Sequence, residues 1–321
     1  MTIISAPTTL ALGQDETNDL GITPTEDQTL IAGVTRDTSI LHRADAAAAT
    51  PQVLLLDGVD RKVANLTIDG NYAGNTGTQY GIYQEGGSVT YENIHVKNPR
   101  TANIAVGAGR AKFDRVYSAD DEFGVTANVN VIAADVSTRH VNCTYAQNRW
   151  VLAGTAGRTI SGDSVHENCE YLSCVITAKS PGEVHMFRDC TFKAQFTWQL
   201  EDAAVYLRDC ANTSGDNSIF YYPRLLTLNN YNTNGGQVRV LFQTAFNVPM
   251  SGEPMKVVLA NMTDITTPYY FFGAGNIHVA DGSNVVINCA AASGGNTGIT
   301  IRYKGVSYVV TTGTWTSADY D

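Results

Sequence analysis

Two His-x-x-Cys pairs, His140-x-x-Cys143 and His166-x-x-Cys169, supply together the two imidazoles and two thiols that a structural zinc site takes. Two acidic clusters, Asp120-Asp121-Glu122 and Glu201-Asp202, are where glycoside cleavage could find its carboxylates. That chemistry needs two carboxyl groups roughly 5–9.5 Å apart, one acting as acid and the other as nucleophile or base. Aromatic residues gather in Trp150, Trp198, Phe220–Tyr222, Phe242 and Tyr269–Phe272. Of these, Tyr221 and Tyr270 are the candidates to face outward and stack on sugar rings. Each group also has a plainer reading, which depends on the elements that hold it.

Those elements follow from a repeat. His140–Tyr145, His166–Tyr171, Phe187–Phe192 and Leu207–Asn212 share one pattern, with a cysteine at its fourth position. The cysteine column extends to Leu66, Ile94, Val116, Cys143, Cys169, Cys190, Cys210, Tyr231, Met262 and Val285. In nine of these ten copies the preceding residue is Asn or Asp, and Arg115 is the exception. A period of 20 to 31 residues is too short for paired helices, and the Val, Ile, Tyr, Phe and Thr content predicts short strands. Three residues before the cysteine column lie Val63, Tyr91, Phe113, His140, His166, Phe187, Leu207, Leu228 and Leu259. Side chains three apart on a straight strand face opposite ways, so two apolar columns at that spacing require a corner between them. Asn and Asp accept the left-handed backbone of such a corner, and stacked amides can bond along the column.

This frame reassigns the metal candidates. The two histidines occupy a column that elsewhere holds Phe and Leu, and the two cysteines one that holds Ile, Val and Met. Buried imidazoles and buried reduced thiols are therefore expected, with neither a metal nor another cofactor. Glu85 stands about four turns before Glu201, nearly 20 Å away by strand spacing, which excludes that pair. Asp202 is expected to pair with Lys179 and Arg224 in neighbouring turns.

A second strand is expected before each motif: Gly81–Gln84, Asn103–Val106, Trp150–Ala153, Val175–Ala178, Thr197–Leu200, Ile219–Tyr222, Arg239–Phe242 and Tyr270–Phe272. From Leu30 to Cys289 the pattern resembles the right-handed parallel β-helix of the pectate-lyase and phage-tailspike superfamily. The expected fold is all-β, with about ten turns over 29–289, an N-terminal cap or docking segment over 1–28, and a C-terminal hairpin cap or subunit-contact segment over 290–321. The resemblance carries over no catalytic residue. The lyase branch binds Ca²⁺ through several acidic residues with an Arg or Lys base, and its motif has no residue-by-residue match here.

Composition narrows the partners. A net charge of −10 with 16% charged residues gives no basic stripe for nucleic acid. No apolar run reaches the roughly 18 residues of a membrane span, and Met1–Leu12 has no signal-peptide pattern. Synthesis in a cytoplasm without membrane insertion is expected. An acidic β-helix of this kind looks most like a bacteriophage virion component, a short tail spike or fibre or a capsid-decorating spike. The resemblance implies a homotrimer on the virion surface, touching other virion proteins and host surface polysaccharide. The alternative is a polysaccharide depolymerase, either a glycoside hydrolase or a lyase.

Overall fold

The computed structural model describes residues 8–11, 16–18, 22–43, 51–71, 74, 77–119, 127–131, 136–146, 163–172, 175–177, 183–193, 196–200, 203–221, 223–241, 256–262, 268–273, 275–290 and 298–320. The protein is all-β, a parallel β-solenoid of about seven turns. The motif count had suggested about ten. A motif marks one corner, whereas a turn also needs strands on its other sides. The last copy is not a corner of the expected kind. Asn284 does not adopt positive φ, and the bend there uses Gly282 at φ 79°.

The corners explain the spacing. Asn65, Asn93, Arg115, Asn142, Asn168, Asp189, Asp209, Asn230 and Asn261 all have φ between 50° and 55°. The first seven each separate a longer strand from a two- or three-residue one on the next side of the coil. The corner backbone also bonds to the adjacent coil, Asn65 N to Glu92 O at 3.1 Å and Asn93 N to Asp114 O at 2.9 Å. The side-chain ladder forms in part. Asn93 donates to Asn65 Oδ1 at 2.9 Å and Asn230 to Asp209 Oδ1 at 2.8 Å, while Asn261 reaches Asn229 instead.

Two compact units divide the chain, Met1–Asp163 and Ser164–Asp321. In the first unit, one parallel sheet runs through Thr8–Ala11, Gln28–Ala32, Arg61–Ala64, Ser88–Glu92, Arg110–Asp114 and Ser137–Val141. Parallel pairing thus already includes part of the polar N-terminal stretch. A second sheet of short strands follows the corners, from Glu16–Asn18 to Thr144–Ala146. A third contains Gln52–Asp57, Tyr80–Gly86, Ala102–Val106 and Ala127–Val131.

In the second unit, the corresponding first sheet runs through Ser164–Glu167, Val184–Arg188, Ala204–Arg208, Leu225–Asn229, Lys256–Ala260, Gly275–Val279 and Ile299–Tyr303. It ends in an antiparallel strand, Val306–Val310, turned back about Lys304 and Gly305. A further parallel sheet runs from Val175–Thr177 to Val286–Ala290 and closes with antiparallel Gly313–Thr316. Tyr303, Tyr308, Trp315 and Tyr320 pack ring against ring beneath this end.

The core is the set of stacked columns. Val63, Tyr91, Phe113, Phe187, Leu207, Leu228 and Leu259 are buried on one side of the corner, and Leu66, Ile94, Val116, Tyr231 and Met262 on the other. Mostly apolar side chains recur at each level because every coil presents the same strand face inward. Cys143, Cys169, Cys190, Cys210 and Cys289 are buried free thiols. The first four donate to the carbonyl two residues earlier, at 3.2–3.4 Å.

Candidate functional site

Outward side chains are fixed by the same alternation that builds the core. In the first sheet of the Ser164–Asp321 unit, strict register places Val165, Met186, Tyr206, Thr227, Val258, His278, Arg302 and Ser307 in one row. At about 4.8 Å per strand the row is about 34 Å long. Its beginning is apolar, with Val165 37% and Met186 47% exposed and Tyr206 half-buried. Its far end is polar and cationic. A parallel row beside it carries Glu167, Arg188 and Arg208, with Arg188 Nη2 2.7 Å from Glu167.

Sequence reasoning missed this row, although the signal was present. Val165, Met186, Tyr206, Thr227 and Val258 all stand four residues before the cysteine column. In the Met1–Asp163 unit the same position holds Lys62, Thr90, Lys112 and Arg139, which are charged or polar. There Lys62 and Arg115 both bond Glu92, at 2.6 and 2.9 Å. The two lysine and arginine partners pull the Glu92 carboxyl below its ordinary range, with the Lys62 hydrogen bond the largest influence.

Tyr221 and Tyr270 lie elsewhere. Both are half-buried on one face of the sheet that contains Ser218–Tyr221, Val238–Leu241 and Pro268–Phe272. Tyr221 is in register with Leu241 and Phe272, and Tyr270 with Arg239 and Asn288. Two strands and two residues separate the tyrosines, roughly 12 Å, so they cannot clasp one sugar ring. Their inward neighbours Trp198, Phe220 and Phe271 are buried, and Trp198 stacks on Phe220 at 5.4 Å between centroids. Asp120, Asp121, Glu122, Glu201 and Asp202 lie outside the described residues, as does Lys179.

The His/Cys pairs are built into hydrogen-bond chains. His140 is buried, stacked on Phe113 at 4.5 Å, with Nδ1 2.5 Å from Tyr145 Oη and Nε2 3.1 Å from Thr138 Oγ1. A neutral ring satisfies both contacts in either tautomer, because each hydroxyl can donate or accept. Burial pushes its pKa down to about 3. His166 repeats the arrangement, stacked on Phe187, with Nδ1 2.5 Å from Tyr171 Oη and Nε2 2.9 Å from Ser164 Oγ. Among the described residues no group of three or more His, Cys, Asp and Glu is arranged to hold a metal.

Ser164 Oγ also lies 2.8 Å from His185 Nδ1, and His185 Nε2 is 3.5 Å from Glu183. Ser, His and Glu in that order form the chain of a nucleophilic hydrolase. Here every member is at most 5% exposed. A substrate cannot reach the Ser164 hydroxyl, which bridges His166 Nε2 and His185 Nδ1 inside the coil.

No protein-family model, curated protein or solved structure matches the chain. No helix among the described residues is long and apolar enough to cross a membrane.

Proposed function

We propose that the protein is a bacteriophage virion component, a short tail spike or fibre or a capsid-decorating spike, that attaches to host surface glycans. The reading keeps the right-handed, pectate-lyase-like form of the solenoid and a homotrimeric assembly as parts of the proposal. The observation that carries it is the outward row of the Ser164–Asp321 unit. Val165, Met186 and Tyr206 stand in register on successive strands of a regular parallel sheet. A flat, evenly spaced apolar and aromatic strip suits the faces of successive sugar rings.

The trimer finds support at the C-terminal end. Among the described residues Val306–Val310 pairs on one side only, at the end of its sheet, and exposes Val306 at 50% and Val309 at 70%. No proline or charged residue lies within that strand to blunt an open edge.

Glycan-array binding with Met186→Ala and Tyr206→Ala, beside solution mass by light scattering, tests the proposal. Retention of defined surface glycans, weakened in both variants, together with a trimeric mass, is the expected result. Release of new reducing or unsaturated sugar ends from a bound glycan would replace attachment by depolymerisation. Absence of glycan binding by the correctly folded trimer would remove the attachment role.

A further inference from the structure

The outward row of the Ser164–Asp321 unit ends in a shallow pocket of about 320 Å³, lined by Lys256, Asn276, Ile277, His278, Thr300, Arg302 and Ser307. Three consecutive strands and the returning hairpin strand contribute to it. Lys256, Asn276 and Thr300 are register partners in one outward row, and His278, Arg302 and Ser307 in the next. Two permanent cations and an imidazole therefore converge with one amide and two hydroxyl groups. Ile277 points inward and is buried, so polar side chains line the open side.

Charge balance makes this pocket unusual for the molecule. The chain carries a net charge of −10, and several of its other outward cations near the first sheet are neutralised, whereas Arg110 and Lys112, unpaired among the described residues, lie outside this pocket. Lys62 and Arg115 share Glu92, Arg188 bonds Glu167 and Asp189, and Arg208 bonds Asp209. Among the described residues, Lys256 and Arg302 have no carboxylate within ion-pair distance. A counter-ion is thus called for in a concavity that already presents neutral donors.

We infer that this pocket binds an oxyanion, the carboxylate or phosphate substituent of a surface glycan whose neutral rings lie along Val258, Tyr206 and Met186. The glycan source rests on the proposed attachment role; the anion site itself rests on the pocket and on Lys256 and Arg302 without carboxylate partners among the described residues. Arg302 supplies a planar fork for two oxygens, and Lys256 a point charge from the neighbouring row. Asn276, Thr300 and Ser307 complete the shell.

The test is an NMR titration of the ¹⁵N-labelled full chain with inorganic phosphate, glucuronate and glucose, read at Asn276, His278, Thr300 and Arg302. Phosphate and glucuronate should cause saturable shifts there, and glucose none. Lys256→Ala and Arg302→Ala should each weaken apparent affinity about tenfold, the effect of losing one charge-assisted contact. Both side chains point outward, so unchanged spectra elsewhere would show the fold intact, and Arg208→Ala serves as a surface-charge control. Shifts that do not saturate, or that persist equally in both variants, would overturn the site. Phosphate binding without glucuronate binding would retain the oxyanion pocket and overturn its glycan carboxylate assignment. Saturable binding of glucose alone would overturn the anion site while leaving glycan attachment standing.

Discussion

The Nδ1 atom of His140 lies 2.5 Å from the hydroxyl of Tyr145 in a place no water reaches. Burial disfavours the charged imidazolium there and holds the ring's pKa down to about 3. In the unfolded chain the same ring titrates near 6.5. Between those values the unfolded state binds more protons, so stability is complete above about pH 6.5 and falls as the pH drops toward 3. This one residue contributes a slope of about 1.4 kcal/mol per pH unit within that window. His140→Phe keeps the stack on Phe113 and removes the titration. Denaturant melts at pH 7, 5 and 4 should show a flatter acid decline in the variant, even if it begins from a lower value.

The corner residues make a second expectation. Arg115 occupies a left-handed corner at φ 53°, where the other copies of that corner use Asn or Asp. Arg115→Gly removes the strain and gives up only exposed contacts to Glu92 and Asp114, so stability should rise by about 0.5–1 kcal/mol. Asn93→Ala at φ 50° loses both the tolerance and the bond to Asn65, and should cost about 1–2 kcal/mol. Chemical denaturation of the two variants measures both signs. A common sign for the pair would show that corner strain does not control these sites.

Those corners are also why the fold was legible. The Asn/Asp column, the buried columns on either side of it and the strands before it are all local patterns, repeated often enough to align without gaps. Arg115 shows that position outweighs residue type, since it bends as its asparagine counterparts do. The outward face was less legible. Core columns are uniform because each faces the same neighbours, whereas the column of Val165, Met186 and Tyr206 turns to His278 and Arg302 within one sheet. Only the register of the strands reveals that these residues form a continuous surface. The buried chain through Ser164, His185 and Glu183 was hidden for another reason. Ser164 and His185 share a column five residues before the cysteines, but that column holds mostly Val, Ala, Thr and Leu elsewhere, so the pattern alone gives no polar contact.

Arg61 holds the chain before the first corner. Its guanidinium bonds Asp57 at 2.5 Å and the carbonyls of Thr25, Pro24 and Gln28, and its side chain is fully buried. Arg61→Met retains bulk but leaves three carbonyls without their donor, which should cost roughly 3 kcal/mol. Asp57→Asn keeps an acceptor and should cost less. Thermal melts should rank the variants in that order, and protease cutting before Gln28 should increase in Arg61→Met alone. Equal effects would mean that the ion pair, rather than the carbonyl contacts, secures this segment.

Trp198 and Tyr221 separate the two faces of one sheet. Trp198 is buried against Phe187, Phe192 and Phe220, so Trp198→Ala opens a cavity and should cost about 3–5 kcal/mol. Tyr221 is half-buried on the opposite face, and Tyr221→Ala should cost much less, within about 1 kcal/mol. If Tyr221 and Tyr270 take part in glycan attachment, their alanine variants should lose binding while keeping nearly full stability. If attachment belongs to the row of Met186 and Tyr206, the same variants should bind as the native chain does. Denaturation midpoints read beside glycan retention distinguish these cases, because Trp198→Ala would reduce both together.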